Sequence, residues 1–281
     1  MKTANPTAVM RISRSTSRLW PLLILWLLPL MVLGGCEPRE GESSLSARAK
    51  LMWENGQYAD AARNFVTLSE IHPDNELGEE SLYWAANLFQ HYLNNPGEAI
   101  RFYQQLLVSF PKGPFANEAK ENLAILYEEK KDTRHRALQI LQQLLLEKDL
   151  KDRQDHFQFK IAALNLKMGV MDQARFEFRN LITRHPNSVY IPEAFYLVGY
   201  SYYLEGRLPL AQVAFRQIVQ DFPGTPLSRQ AQFYIAEIEE ERGNLRAALR
   251  QFESLRGKYH SRVILDKRIK ALRSRMKKSV R

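Results

Sequence analysis

Apolar side chains recur at spacings of three and four along most of this chain, in stretches broken by short polar segments. Phe195, Val198, Gly199 and Tyr202 form one stripe, a break falls at Gly206, and Ala211, Phe215 and Ile218 form a second stripe before Pro223. Such spacings put each set on one helical face and predict two amphipathic helices joined by a tight turn. The unit repeats. Glycine, four residues, alanine, three residues and a large apolar residue occur as Gly56/Ala61/Phe65, Gly169/Ala174/Phe178, Gly206/Ala211/Phe215 and Gly243/Ala248/Phe252. Degenerate copies at Ala99/Tyr103 and Ala137/Leu141 fill the gap, so the alanines recur at intervals of 38, 38, 37, 37 and 37. Twelve residues after each alanine stands a punctuating residue: Pro73, Pro111, Asp149, Pro186, Pro223 and His260. A small residue recurs twelve or thirteen positions before each alanine, as Ala49, Ala86, Ala124, Ala162, Gly199 and Ala236. Small residues facing each other let paired helices approach closely.

The order Phe195-x2-Val198-Gly199-x2-Tyr202, then Ala211-x3-Phe215, then Pro223 resembles the tetratricopeptide repeat. The resemblance covers residues 45–260 in about six units and implies an all-α superhelix of helix-turn-helix pairs, with first helices lining a concave surface. Lys120, Gln158 and Gln232 depart from it at the first aromatic position, as Asp149 does from proline, and units of 37 or 38 residues exceed the usual 34. In the fifth unit Tyr196, Tyr200 and Tyr203 are expected beside the packing stripe, in the groove. Phe159 and Phe233 occupy equivalent places in adjacent units and Tyr83 in an earlier one, so the six are expected to form an aromatic track for a peptide. Tyrosine combines a large contact area with a hydroxyl that tolerates water, which suits that task.

Residues 261–281 read as a basic capping helix. Leu265, Ile269, Leu272 and Met276 recur at four, three and four, with Lys267, Arg268, Lys270, Arg273, Arg275, Lys277 and Lys278 on the other faces. Capping of the last unit is expected of the apolar face, and contact with anionic lipid, cell-wall polymer or an acidic partner of the charged one.

The amino-terminal end has a different pattern. An apolar run from Leu19 to Leu33, broken by Pro21 and Pro29, follows a leader with Lys2, Arg11, Arg14 and Arg18 and no acidic residue. The run is shorter than the ~20 residues that cross a bilayer and has the layout of a signal peptide over residues 1–35. Leu33-Gly34-Gly35-Cys36 resembles the lipobox of bacterial lipoproteins, and Cys36 is the only cysteine. The resemblance implies that the Cys36 thiol takes a diacylglycerol, that cleavage falls before it and that the new amino group is acylated. Several acyl chains anchor stably where one is marginal. Residues 36–44 then form the lipidated cysteine and a short polar linker. By the same resemblance, Glu37 in place of the aspartate that retains lipoproteins in the inner membrane implies the outer membrane, facing the periplasm. Both Met1 and Met10 are possible starts.

Removing this leader takes the basic residues from 40 to 36 against 31 acidic ones. Eleven basic residues and one acidic, Asp266, lie between Arg256 and Arg281, so the body is mildly acidic and the tail strongly basic. A secreted lipoprotein does not meet nucleic acid. The motifs GxxxxGK[ST], HExxH and GxSxG do not occur. His72 and His185 precede prolines at equivalent repeat positions, and His91, His135, His156 and His260 lack partners at metal-ligand spacing. Glu239 to Glu241 read as a solvated helix surface. No enzyme, cofactor or metal is expected. The layout of lipobox, linker and repeats resembles the barrel-assembly lipoproteins of the BamD type, which implies a lipid-anchored scaffold holding membrane or periplasmic proteins. Residues 185–226 also resemble the repeats of the Tol-Pal-associated YbgF type, which implies coordination of division or wall synthesis.

Overall fold

The computed structural model describes residues 40–278. Cys36, the apolar leader and the last three residues lie outside the described residues. Six helix pairs follow one another: α1 (Glu40–Glu54) with α2 (Tyr58–Ile71), α3 (Glu76–His91) with α4 (Pro96–Ser109), and α5 (Ala116–Glu129) with α6 (Arg134–Leu146). The second half repeats the scheme with α7 (Gln154–Met168) and α8 (Met171–Arg184), α9 (Ile191–Leu204) and α10 (Leu208–Asp221), and α11 (Pro226–Glu241) and α12 (Leu245–Ser254). The last helix, α13 (Arg262–Lys278), covers α12. Helix α1 begins at Glu40, so residues 40–44 of the expected linker are helical.

Packing follows the repeated small residues. The six second-helix alanines, Ala61, Ala99, Ala137, Ala174, Ala211 and Ala248, are fully buried. The first-helix residues Ala49, Ala86, Ala124, Ala162, Gly199 and Ala236 are also buried. In the fifth repeat the contact is closest: a Cβ added to Gly199 would lie 2.9 Å from the Phe215 ring. Phe65, Tyr103, Leu141, Phe178, Phe215 and Phe252 fill the space between the paired helices. Truncating one of these buried aromatics costs about 3–5 kcal/mol.

The uneven repeat length has one location. Each second-helix alanine stands 25 residues before the next small first-helix residue throughout, whereas small residue to alanine is 13 in the second and third repeats and 12 elsewhere. The extra residue therefore lies in the turn inside those two repeats. The twelve-residue repeats turn on Gly56, Gly169, Gly206 and Gly243, all at positive φ, where a side chain is strained. The second repeat turns through Asn94 at φ 48°, and the third through a short 3-10 turn, Lys131–Thr133.

Turns between repeats are more uniform. His72, Phe110, His185 and Phe222 each end a second helix in one conformation, φ −121° to −129° and ψ 54° to 63°, and each precedes a proline. Proline excludes the helical conformation from the residue before it, which explains the recurring His-Pro and Phe-Pro pairs. At Asp149, which lacks proline, the chain forms the 3-10 segment Lys148–Arg153 instead. Two first-helix carboxylates at equivalent positions hold these turns. Buried Glu79 accepts a hydrogen bond from the Phe115 N–H at 2.9 Å, and Asp155 accepts from the Ser188 hydroxyl at 2.7 Å. Where the repeat pattern lacks its first aromatic, polar groups pair. Lys120 reaches Glu147 at 2.8 Å, and the buried Gln158 amide donates to Glu177.

Candidate functional site on the first-helix face

First helices of successive repeats meet side by side, and their contacts form one continuous surface from α1 to α13. Trp53 of α1 lies 4.8 Å from Trp84 of α3, while Lys50 pairs with Glu80 at 3.2 Å across the same joint. Between the third and fourth repeats Glu121 is held by Arg153 at 2.8 Å and the His156 ring at 3.2 Å, and Lys167 pairs with Glu128 at 2.8 Å. The other His156 nitrogen lies 2.8 Å from the Tyr190 hydroxyl, which ties in the fifth repeat. Tyr203 of α9 donates to Glu241 of α11 at 3.1 Å.

The six aromatic residues expected in a groove divide into two kinds. Tyr196 and Phe233 are packing residues, only 8% and 6% exposed. Tyr196 falls inside the core because Phe215 and Tyr234 close over it, with ring centroids at 5.9 and 6.1 Å. Phe233 is covered by Phe252 and Tyr259 at 5.1 and 4.7 Å. Tyr83, Phe159, Tyr200 and Tyr203 are half-buried and retain accessible surface. Tyr83 and Phe159 each stack on the residue that opens the next repeat, Phe115 at 4.7 Å and Tyr190 at 4.8 Å. Tyr200 and Tyr203 bracket half-buried Tyr234, at 5.7 and 5.0 Å.

Tyr234, Phe115, Tyr190 and Tyr259 complete this surface and were not singled out from the sequence. A signal existed for two of them, since Phe115 and Tyr190 both stand nine residues before the small first-helix residue. His156 likewise has partners that sequence spacing did not reveal, because Glu121 lies 35 residues away. Of Glu239 to Glu241, Glu241 is exposed as a solvated helix surface would be, whereas Glu239 is half-buried and Glu240 buried. Glu239 accepts from Gln212 and Asn244, Glu240 is 9% exposed and pairs with Arg275, and Glu241 receives Tyr203. Glu240 is drawn in because α11 is flanked by α9 and α13.

Electrostatics follow burial. Desolvation, with the Glu118 charge behind it, pushes the Tyr83 hydroxyl up to about 12. The hydroxyls of Tyr196, Tyr203 and Tyr234 are also raised, foremost by burial. Glu121 is held below its ordinary value, first by the hydrogen bond from His156 and then by Arg153. Glu237 is raised by burial, which the neighbouring Arg268 partly offsets.

The basic tail also separates into sets. Arg268 and Arg275 turn toward α11 and pair with Glu237 and Glu240, while Arg273 reaches Glu253 of α12 at 2.6 Å. Lys267, Lys270, Lys277 and Lys278 are exposed. Leu265, Ile269 and Leu272 are buried against Ala248, Phe252 and Leu255, so α13 caps the array. Among the described residues no group of three His, Cys, Asp or Glu side chains is placed to hold a metal. No helix among them is long and apolar enough to cross a membrane.

These repeats define a tetratricopeptide-repeat fold. The tetratricopeptide-repeat family model matches residues 80–113, 157–188 and 193–225, the second, fourth and fifth repeats. The fold is similar to a tetratricopeptide-repeat protein of Parabacteroides merdae, with a TM-score of 0.59 and 16% identity over 84% of this chain and 88% of that one. It is similar also to the carboxy-terminal part of a repeat protein of Cytophaga hutchinsonii, TM-score 0.56, 17% identity, 75% and 77% covered. A third similar structure is PilW, a type IV pilus biogenesis factor, TM-score 0.51, 16% identity, 82% and 98% covered. No curated protein matches the sequence.

Proposed function

We propose that this chain is a lipid-anchored periplasmic scaffold that binds segments of other envelope proteins on its first-helix face. The observation that carries this reading is the run of half-buried aromatic side chains along that face: Tyr83, Phe159, Tyr200, Tyr203 and Tyr234. Each is fixed by a stacked or edge-on neighbour, so its contact area is offered with little side-chain entropy left to lose. Carboxylates border them, with Glu118 beside Tyr83 and Glu241 on Tyr203. The face therefore suits a segment with apolar or aromatic anchors and interspersed basic residues.

The lipobox Leu33-Gly34-Gly35-Cys36 supports anchoring to the envelope. Anchoring at the outer membrane in the manner of BamD makes assembly of outer-membrane proteins the preferred setting. The resemblance of residues 185–226 to YbgF favours a second reading, coordination of division or wall synthesis with the Tol-Pal system.

A photo-reactive residue in place of Tyr200 in living cells tests the face directly. A discrete membrane-protein adduct, identified by mass spectrometry, is the expected result; self-adducts alone would count against binding there. Depletion then separates the settings. Lower outer-membrane barrel levels support the first, and septation defects with barrels unchanged support the second. Labelled palmitate is expected to enter the intact protein and not the Cys36→Ser variant.

A further inference from the structure

The geometry points to a second docking site, on the opposite flank of α13 from the first-helix face, for an extended acidic peptide segment of a partner protein. On α13, positions 262, 266, 270, 273 and 277 recur at four, four, three and four and share one face. Arg268 and Arg275, which meet α11, share another. The buried face of Leu265, Ile269 and Leu272 lies between the two. The first of these faces, together with the turn after α12, lines a groove of about 840 Å³. Arg256, Arg262, Lys270, Arg273 and Lys277 form its rim, over a floor that includes Tyr259, Leu265 and Ile269.

Charge in the groove is only partly compensated. Asp266 is shared by Arg256 at 3.8 Å and Arg262 at 3.4 Å, and Arg273 has Glu253. Lys270 and Lys277 make no ion pair among the described residues. Five cations therefore face two carboxylates, and the site attracts anions.

Shape selects among anions. From Arg262 to Lys277 the helix advances about 22 Å at ~1.5 Å per residue. An extended peptide at ~3.3 Å per residue spans that length in roughly seven residues. A linear chain of carboxylates follows the cationic rim, and an occasional apolar side chain meets half-buried Tyr259 and the aliphatic stems of the rim residues. The two cations without a carboxylate, Lys270 and Lys277, stand seven positions apart on this face, about 10 Å along the helix, and offer point charges to spaced carboxylates on one chain. A flat bilayer would instead meet the outward face first, where Val263, Lys267 and Lys278 are exposed.

The test uses the full-length chain and a fluorescein-labelled octapeptide of alternating Glu and Leu, with binding read by anisotropy at low salt. A Gln/Leu octapeptide and phosphatidylglycerol vesicles serve as comparison ligands. Binding of the acidic peptide is expected, falling at least tenfold in the Lys270→Glu/Lys277→Glu double variant and less than twofold in Lys267→Glu/Lys278→Glu. All four lysines are exposed, so circular dichroism of both double variants is expected to match the parent. No binding at millimolar acidic peptide would overturn the assignment. So would equal losses in the two double variants, equal binding of the Gln peptide, or vesicle binding without peptide binding.

Discussion

At Gly199 the absence of a side chain decides how closely two helices pack. Five of the six repeats place alanine at this position, and the fifth places glycine because the Phe215 ring occupies the methyl's space. Gly199→Ala is therefore expected to destabilise the protein despite alanine's better helix propensity. Overpacking costs about 1–3 kcal/mol, more than the ~1 kcal/mol that propensity returns. Urea unfolding checks it; a more stable variant would mean that Phe215 has room to move. Glu121 gives a pH-dependent counterpart. Its folded-state value is depressed, so its contribution is present above the ordinary carboxylate range and is lost as pH falls through the lowered value. Glu121→Gln is expected to cost about 1–2 kcal/mol at neutral pH, the scale of hydrogen bonds to a charged group. The difference from the parent is expected to narrow on acidification, which unfolding at pH 7 and pH 3 measures. A gap unchanged at pH 3 would assign the effect to packing instead.

Helices were the most legible part of the sequence. The alanine register located every second helix, since one fully buried position per unit is a strong constraint, and Ala61 to Ala248 all obey it. Side-chain exposure on the first helices was less legible. Tyr196 and Tyr200 are four residues apart and read alike, yet Tyr196 is buried because Tyr234, in another repeat, leans across it. Local periodicity carries no information on such a neighbour. The same limit applies to α13, where counting basic residues could not show which would meet Glu237 and Glu240. The apolar face of α13 was legible, and it leads to an expectation at this scale. In a repeat array each unit is supported mainly by its neighbours. Leu265→Ala with Leu272→Ala is expected to speed amide exchange in α11 and α12 while leaving α1 to α6 unchanged. A uniform increase would show instead that the array opens as a single cooperative block.

Across the whole array, the two kinds of turn divide tolerance to length. Between repeats the spacing never varies from 25 residues, and the four helix ends there that precede proline share one backbone conformation, while the fifth, at Glu147, is extended. Inside repeats the chain has already absorbed an added residue twice, at Asn94 and at Lys131–Thr133, without disturbing the buried alanine on either side. The first kind of joint sets how each repeat is rotated against the next, so a change there would be passed to every later unit. The second lies at the open end of a hairpin and passes nothing on. Short tags, spectroscopic labels or protease sites inserted beside Gly56, Gly169, Gly206 or Gly243, with the glycine kept, would therefore act as local reporters, giving the array four independent vantage points along its length.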